Sequence, residues 1–181
     1  MKFTQTDLPG VIIIEPKVFQ DARGAFFENY NKEVFRENGI REEFVQDNHS
    51  ISSRGVLRGL HYQTGPKAQS KLVRVIRGEA FDVVIDIRKD SKTFGRYISH
   101  TLSAENKKMM YIPVGFAHGF LALKEDTEFL YKVSCVYSPE AERGVIWNDP
   151  TVKISWPKLE TGFILSDKDK KNPTLKESLL L

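Results

Sequence analysis

The chain has 181 residues, 40% hydrophobic and 28% charged, a composition that suits one globular domain and argues against a disordered chain or a fibre. Its 27 basic and 24 acidic residues leave a net charge of +3, scattered along the chain without the clustered basic face that a nucleic-acid duplex requires. The single cysteine, Cys135, rules out an intrachain disulfide and a CxxC metal or redox motif, and no run of about 18 apolar residues offers a membrane span.

The opening Met1-Lys2-Phe3-Thr4-Gln5 lacks the apolar core of a signal peptide, so the expected compartment is the reducing cytoplasm. An apolar run at 11–14 reads as a first strand. Asp21-Ala22-Arg23-Gly24-Ala25-Phe26-Phe27-Glu28 follows as a turn with an arginine, two aromatics and a carboxylate, a set able to grip a base and a phosphate. On its own that string is no more than a hairpin, and Phe26, Phe27 and Tyr30 read as interface or core aromatics. Asn31 then caps a short surface helix: Glu33 suits its first turn, Val34 and Phe35 supply an apolar side, and Gly39 stops it.

From residue 54 to 77 the chain carries Arg58, His61, Gln63, Lys71, Arg74 and Arg77 among β-forming residues. Such cationic density in a strand pair suits a bound anion; the plainer reading is a solvated face. Further runs of strand length lie at 71–77, 80–88, 108–112, 119–123 and 128–136, rich in Val, Ile, Phe and Tyr and separated by Gly, Pro, Asn or Asp. Arg77-Gly78-Glu79-Ala80 reads as a hairpin turn that makes the strands on either side antiparallel neighbours. Alternation in the next strand places Phe81, Val83, Ile85 and Ile87 on one face and Asp82, Val84, Asp86 and Arg88 on the other. Residues 167–173 read as an irregular crossing before a last short helix or tail. Many short strands with no repeat or linker predict an all-β fold, a barrel or two-sheet jelly roll with a few short peripheral helices.

Pro113-Val114-Gly115-Phe116-Ala117-His118 builds a tight turn that presents His118 at the start of a strand, a pattern that resembles the second motif of the cupin barrels. A metal-binding cupin also needs a His-x-His in its first motif, and here the corresponding stretch is Arg58-Gly59-Leu60-His61-Tyr62-Gln63. One imidazole in each motif points to proton transfer, for which a pKa of about 6.5 suits histidine. Each histidine alone reads more readily as a hydrogen-bonded interior residue than as a catalytic one.

Taken together, these strings resemble the dTDP-4-dehydrorhamnose 3,5-epimerase family along nearly the whole chain. The likeness is carried by Asp21-Ala22-Arg23-Gly24 with Phe27-Glu28, Phe44-Val45-Gln46-Asp47-Asn48-His49-Ser50 and Gly55-Val56-Leu57-Arg58-Gly59-Leu60-His61-Tyr62-Gln63. It continues through Lys71-Leu72-Val73-Arg74-Val75, Gly115-Phe116-Ala117-His118-Gly119-Phe120, Tyr131-Lys132, Trp147-Asn148-Asp149-Pro150 and Leu165-Ser166 with Lys168-Asp169. The resemblance implies a cupin-type jelly roll that inverts C3 and C5 of a thymidine-diphosphate 4-keto sugar. It implies no metal and no cofactor. His61 matches the family's base, oriented by Asp169; Tyr131 matches the acid on the opposite face; Lys71 matches the residue that steadies the enolate. His118 matches a pocket histidine, and alternation places Asp82 where it orients an imidazole if it faces inward. Arg23, Glu28, Gln46, Asn48 and Arg58 match contacts to base, ribose or diphosphate, with Glu142 and Lys168 nearby, and Tyr137 matches the ring that stacks on thymine. The resemblance further implies a homodimer in which an N-terminal arm of about residues 1–50, with Arg23 and Glu28, completes the neighbour's pocket. The rival readings are a relative that inverts C3 alone, a non-catalytic sugar-binding barrel, and a metal-dependent cupin.

Overall fold

The Asn31 cap forms as its sequence predicts. Its side chain accepts hydrogen bonds from the amides of Glu33 and Val34 and starts helix α1 (Lys32–Glu37). Gly39 ends it at φ +90°, with the Ile40 amide reaching back to the Phe35 carbonyl at 2.9 Å and the Gly39 amide to the Arg36 carbonyl, a Schellman closure. Phe35 and Ile40 are buried beside Ile12, Ile14, Leu72, Met109 and Tyr111, so the helix covers the outside of a sheet.

The computed structural model describes residues 1–178. Its strands are β1 (Lys2–Gln5), β2 (Ile12–Glu15), β3 (Val18–Asp21), β4 (Gly24–Phe27), β5 (Gln46–Ser52), β6 (Leu57–Gln63), β7 (Lys71–Arg77), β8 (Glu79–Asp86), β9 (Tyr97–Ser103), β10 (Met109–Ile112), β11 (Phe116–Ala122), β12 (Thr127–Val133) and β13 (Glu142–Gly144). They form a six-stranded sheet in the order β1-β2-β10-β7-β12-β5 and a five-stranded sheet in the order β13-β6-β11-β8-β9. All their ladders are antiparallel. The two sheets face each other, the expected jelly roll. Strands β3 and β4 pair only with each other, and this hairpin leaves Phe19 and Phe26 exposed. Among the described residues no helix is long and apolar enough to cross a membrane.

One local expectation is overturned. Strands β7 and β8 belong to different sheets, so Arg77-Gly78-Glu79-Ala80 is a corner rather than a hairpin. Gly78 makes that corner at φ +75° against Thr127, where a Cβ would sit 2.6 Å from the hydroxyl oxygen. The alternation in β8 holds. Phe81, Val83, Ile85 and Ile87 face an outer cluster roofed by Val145, Val152, Trp156 and Leu175, whereas Val84 points between the sheets. No final helix follows Asp169–Lys171, a single 3-10 turn, among the described residues; positions 179–181 lie outside them.

The interior between the sheets is apolar over most of its length, with Val73, Val75, Met110, Ile112 and Phe129 meeting Ala80, Val84, Leu102, Phe116 and Phe120. The Phe120 and Phe129 rings stack across it with centroids 4.1 Å apart. A bulge carries the Arg58 and His61 side chains inward. His118 lies opposite His61, but Phe120 lies opposite Arg58, so β6 holds an extra residue there and Arg58 and His61 share a face despite their odd spacing. The bulge needs two glycines back to back: a Cβ on Gly59 would sit 2.6 Å from Gly119 Cα, and one on Gly119 would sit 2.6 Å from the Arg58 carbonyl. Gly119→Ala should therefore force β6 and β11 apart and destabilise the fold by about 1–3 kcal/mol, read as a lower denaturant midpoint in equilibrium unfolding. An unchanged midpoint would show that the backbone there gives way freely.

Candidate active site

Side chains from both sheets converge on a cavity of about 570 Å³. The five-stranded sheet contributes Arg58 and His61 from β6 and His118 from β11; the six-stranded sheet contributes Lys71 from β7 and Tyr131 from β12. Tyr137, Glu142, Lys168 and Asp169 complete the rim, and Phe120 and Phe129 supply apolar wall. A smaller lobe of about 290 Å³ shares His61, Lys71, Tyr131, Tyr137 and Glu142 and adds Gln46 and Asn48.

His61 and Asp169, 108 residues apart, meet with His61 Nε2 2.5 Å from the carboxylate. Asp169 is buried in the 3-10 turn, where its backbone amide donates to Ser166 Oγ at 3.1 Å. Burial pushes its carboxyl up, but hydrogen bonds from His61, Ser166 and the Gly59 amide outweigh that and hold it below the usual carboxylate range. An ionised Asp169 accepts from Nε2–H and so leaves His61 Nδ1 as the nitrogen able to take a proton.

His118 makes a second pair: its Nε2 lies 2.8 Å from Asp82, whose side chain does face inward. This carboxylate is poised the other way. Asp82 is wholly buried, its second oxygen has no partner among the described residues, and burial raises its pKa although His118 draws it down. Lys71 is also buried, its ammonium donating to the His61 carbonyl at 3.2 Å. Burial lowers its pKa to about 8, against the pull of Asp82 and Glu142 toward the charged form. Burial likewise raises the Tyr131 phenol, keeping it protonated.

At the rim, Glu142 accepts from the Tyr137 hydroxyl at 2.6 Å and pairs with the Lys168 ammonium. Burial works to raise its carboxyl, but the bonds from Lys168 and Tyr137 bring it below the usual range. Arg58 is held by Ser52 at 3.1 Å and reaches the Ile51 carbonyl. The Gln46 carboxamide is already engaged, accepting from the Tyr137 amide at 2.9 Å and donating to Asn48 at 2.8 Å.

Arg23 and Glu28 stand apart from their own chain's cavity. Arg23 pairs with Asp21 at 2.6 Å on the exposed β3–β4 hairpin, and Glu28 accepts from Asn31. Two hydroxyls escaped notice as sequence: Ser166, which orders the Asp169 turn, and Ser50, whose buried oxygen faces the cavity without a partner among the described residues. Both lie within matched motifs, but a lone serine carries no signal of its own. No group of three or more His, Cys, Asp or Glu residues is arranged to hold a metal ion among the described residues.

Known proteins align with this frame over almost all of it. A model of the dTDP-4-dehydrorhamnose 3,5-epimerase family matches residues 5–177. A dTDP-4-dehydrorhamnose 3,5-epimerase of Pseudomonas aeruginosa is 56% identical over 171 residues, covering 94% of this chain and 93% of its own. The crystal structure of the enzyme of that name from Elizabethkingia anophelis superposes with a TM-score of 0.94 at 48% identity, covering 98% of this chain and 97% of its own. A dTDP-6-deoxy-D-glucose-3,5-epimerase from Legionella pneumophila, solved with dTDP-4-keto-L-rhamnose, gives a TM-score of 0.94 at 45% identity over 97% of this chain and 93% of its own. Matched by the family model over residues 5–177 and by relatives along nearly its whole length, this chain belongs to the dTDP-4-dehydrorhamnose 3,5-epimerase family.

Proposed function

We propose that this cavity epimerises C3 and C5 of dTDP-4-dehydro-6-deoxy-D-glucose to give dTDP-4-dehydro-L-rhamnose, in dTDP-L-rhamnose biosynthesis. The carrying observation is that the His61–Asp169 pair stands on the five-stranded side while Tyr131 and Lys71 come from the strands opposite. A sugar ring between the sheets then has a base on one face and an acid on the other, the arrangement that inversion demands.

The 4-keto group makes the C3 and C5 protons removable, because the electron pair left behind spreads onto oxygen as an enolate. His61 Nδ1 takes the proton, and Asp169 stabilises the imidazolium and holds the ring in orientation. The Lys71 ammonium, among buried neighbours, faces the growing charge on oxygen, where low dielectric strengthens the interaction. Tyr131, protonated at neutral pH, returns a proton from the opposite face. This route draws on no metal or cofactor, since every group that moves a proton or meets the oxyanion belongs to the chain.

The diphosphate meets Arg58 and Lys168, and arginine's planar fork can donate two hydrogen bonds at once. Gln46, Asn48, Glu142 and Tyr137 take the nucleoside in the adjoining lobe. The exposed hairpin with Phe19, Arg23 and Phe26 belongs, in this reading, against a second copy in a homodimer, where Arg23 and Glu28 complete the partner's site. A cytoplasmic location goes with a nucleotide-sugar substrate and a free Cys135.

Incubation of the purified chain with the 4-keto-6-deoxy nucleotide sugar in heavy water should leave one solvent deuteron at C3 and one at C5, read by mass and by NMR. Label confined to C3 would assign a 3-epimerase instead, and no label would refute the chemistry. His61→Ala should lower kcat by about 10²–10⁴ with dTDP affinity kept within about threefold. A folded His61→Ala variant with full turnover would remove the base from the mechanism. Because Lys71 is an ammonium below its pKa of about 8 and neutral above it, kcat/KM should fall as pH rises through that value. A profile flat to about pH 10 would mean that this charge does not serve the reaction.

A further inference from the structure

The loop between β12 and β13 carries Tyr137 to the rim, and none of the amides of residues 135–138 donates to another backbone group among the described residues. Such groups need partners elsewhere. Two glutamine side chains accept from the amides of Tyr137 and Ser138, and three glutamines in all hold the loop backbone. Gln69 donates to the Cys135 carbonyl at 2.5 Å, and Gln46 accepts from the Tyr137 amide at 2.9 Å. Gln63 holds both flanks of Tyr137: its Oε1 accepts from the Ser138 amide at 2.8 Å, and its Nε2 donates to the Lys67 carbonyl at 2.6 Å and, at 3.4 Å, to the Val136 carbonyl.

Gln63 is itself only 4% exposed and sits two strand positions beyond His61, on the same face of β6. Its amide group has a donor and an acceptor engaged at once, a combination that no carboxylate or hydrocarbon of the same shape offers. Tyr137, by contrast, is half exposed, and its ring has no aromatic partner among the described residues. The placement of that ring is set by its hydroxyl on Glu142 and by the loop backbone, and the loop backbone is held by carboxamides.

We propose that Gln63, which lines the smaller lobe with its carboxamide already engaged, is a positioning residue for nucleotide recognition: it acts by holding the loop that presents Tyr137 rather than by bonding the ligand. A loop ordered before binding spares the ligand the cost of ordering it, so the contribution is to affinity rather than to the chemical step. This rests on the reading above that Tyr137 lies against the nucleoside.

The test is calorimetric titration of the full chain with dTDP and, separately, with inorganic pyrophosphate, which has no base for Tyr137 to meet. Gln63→Leu should weaken dTDP binding about tenfold, leave pyrophosphate within about twofold, and add less than about twofold in a chain that already carries Tyr137→Ala. Equal losses with and without Tyr137, a parallel loss for pyrophosphate, or no loss at all would overturn the proposal. Should Gln63→Leu not fold, Gln63→Glu, which keeps the shape and the acceptor but loses the donor, serves in the same comparisons. Wild-type chain that binds no dTDP would refute the nucleotide reading itself, a result distinct from normal wild-type binding with unaffected Gln63 variants.

Discussion

Removing a carboxylate from water is costly, and Asp169 is almost wholly buried. What replaces its hydration is the His61 ring nitrogen at 2.5 Å, with help from Ser166 and the Gly59 amide. Much of the chain's path after β13 serves to bring that carboxylate to that imidazole. Ile164 bridges Val56 in parallel, its amide on the Gly55 carbonyl and its carbonyl accepting from Leu57, so the segment is tied to β6 just ahead of the histidine. Beyond the turn, the Ile146 amide donates to the Pro173 carbonyl, and buried Asp149 accepts from the amides of Thr151, Val152 and Leu175. Apolar contacts of Val152, Trp156 and Leu175 with the outer face of β8 hold this irregular strap without regular secondary structure.

The same economy of position governs the rest of the cavity. Two carboxylate–imidazole pairs of similar length differ in poise because their surroundings differ: Asp169 has several donors and stays ionised, while Asp82 is wholly buried with one oxygen unmatched and is pushed the other way. The first environment suits a group that supports an imidazolium. Lys71 and Asp82 each favour the other's charged form, so the buried cation is sustained by charges that the proposed chemistry does not consume. The stacked Phe120 and Phe129 form one apolar wall of the cavity.

Local chemistry made part of this legible. The Asn31 cap and Gly39 stop act within one turn, and the alternation from Phe81 to Ile87 reports a strand with both faces engaged. Gly78 was misread because a glycine between two strand-like runs fits a hairpin and a sheet-to-sheet corner equally; the deciding contact, with Thr127, lies 49 residues away. The bulge that turns Arg58 and His61 to one face depends on Gly59 meeting Gly119 on a neighbouring strand, which strict alternation would have denied. The dyad was legible only through resemblance, since nothing local to His61 announces a partner 108 residues on. Gln63 shows the converse: a polar residue at a cavity suggests ligand contact, yet its carboxamide is engaged by the Lys67 carbonyl and by the loop that carries Tyr137.

A crystal structure of this chain with an unreactive dTDP-sugar, one that lacks the 4-keto group, would examine the opposed-faces arrangement directly. The account predicts the pyranose between the sheets, with a carbon flanking C4 within about 3.5 Å of His61 Nδ1 on one face, the Tyr131 hydroxyl against the other, and the C4 oxygen within reach of Lys71 Nζ. A sugar with His61 and Tyr131 on the same face, or seated away from the His61–Asp169 pair, would contradict it.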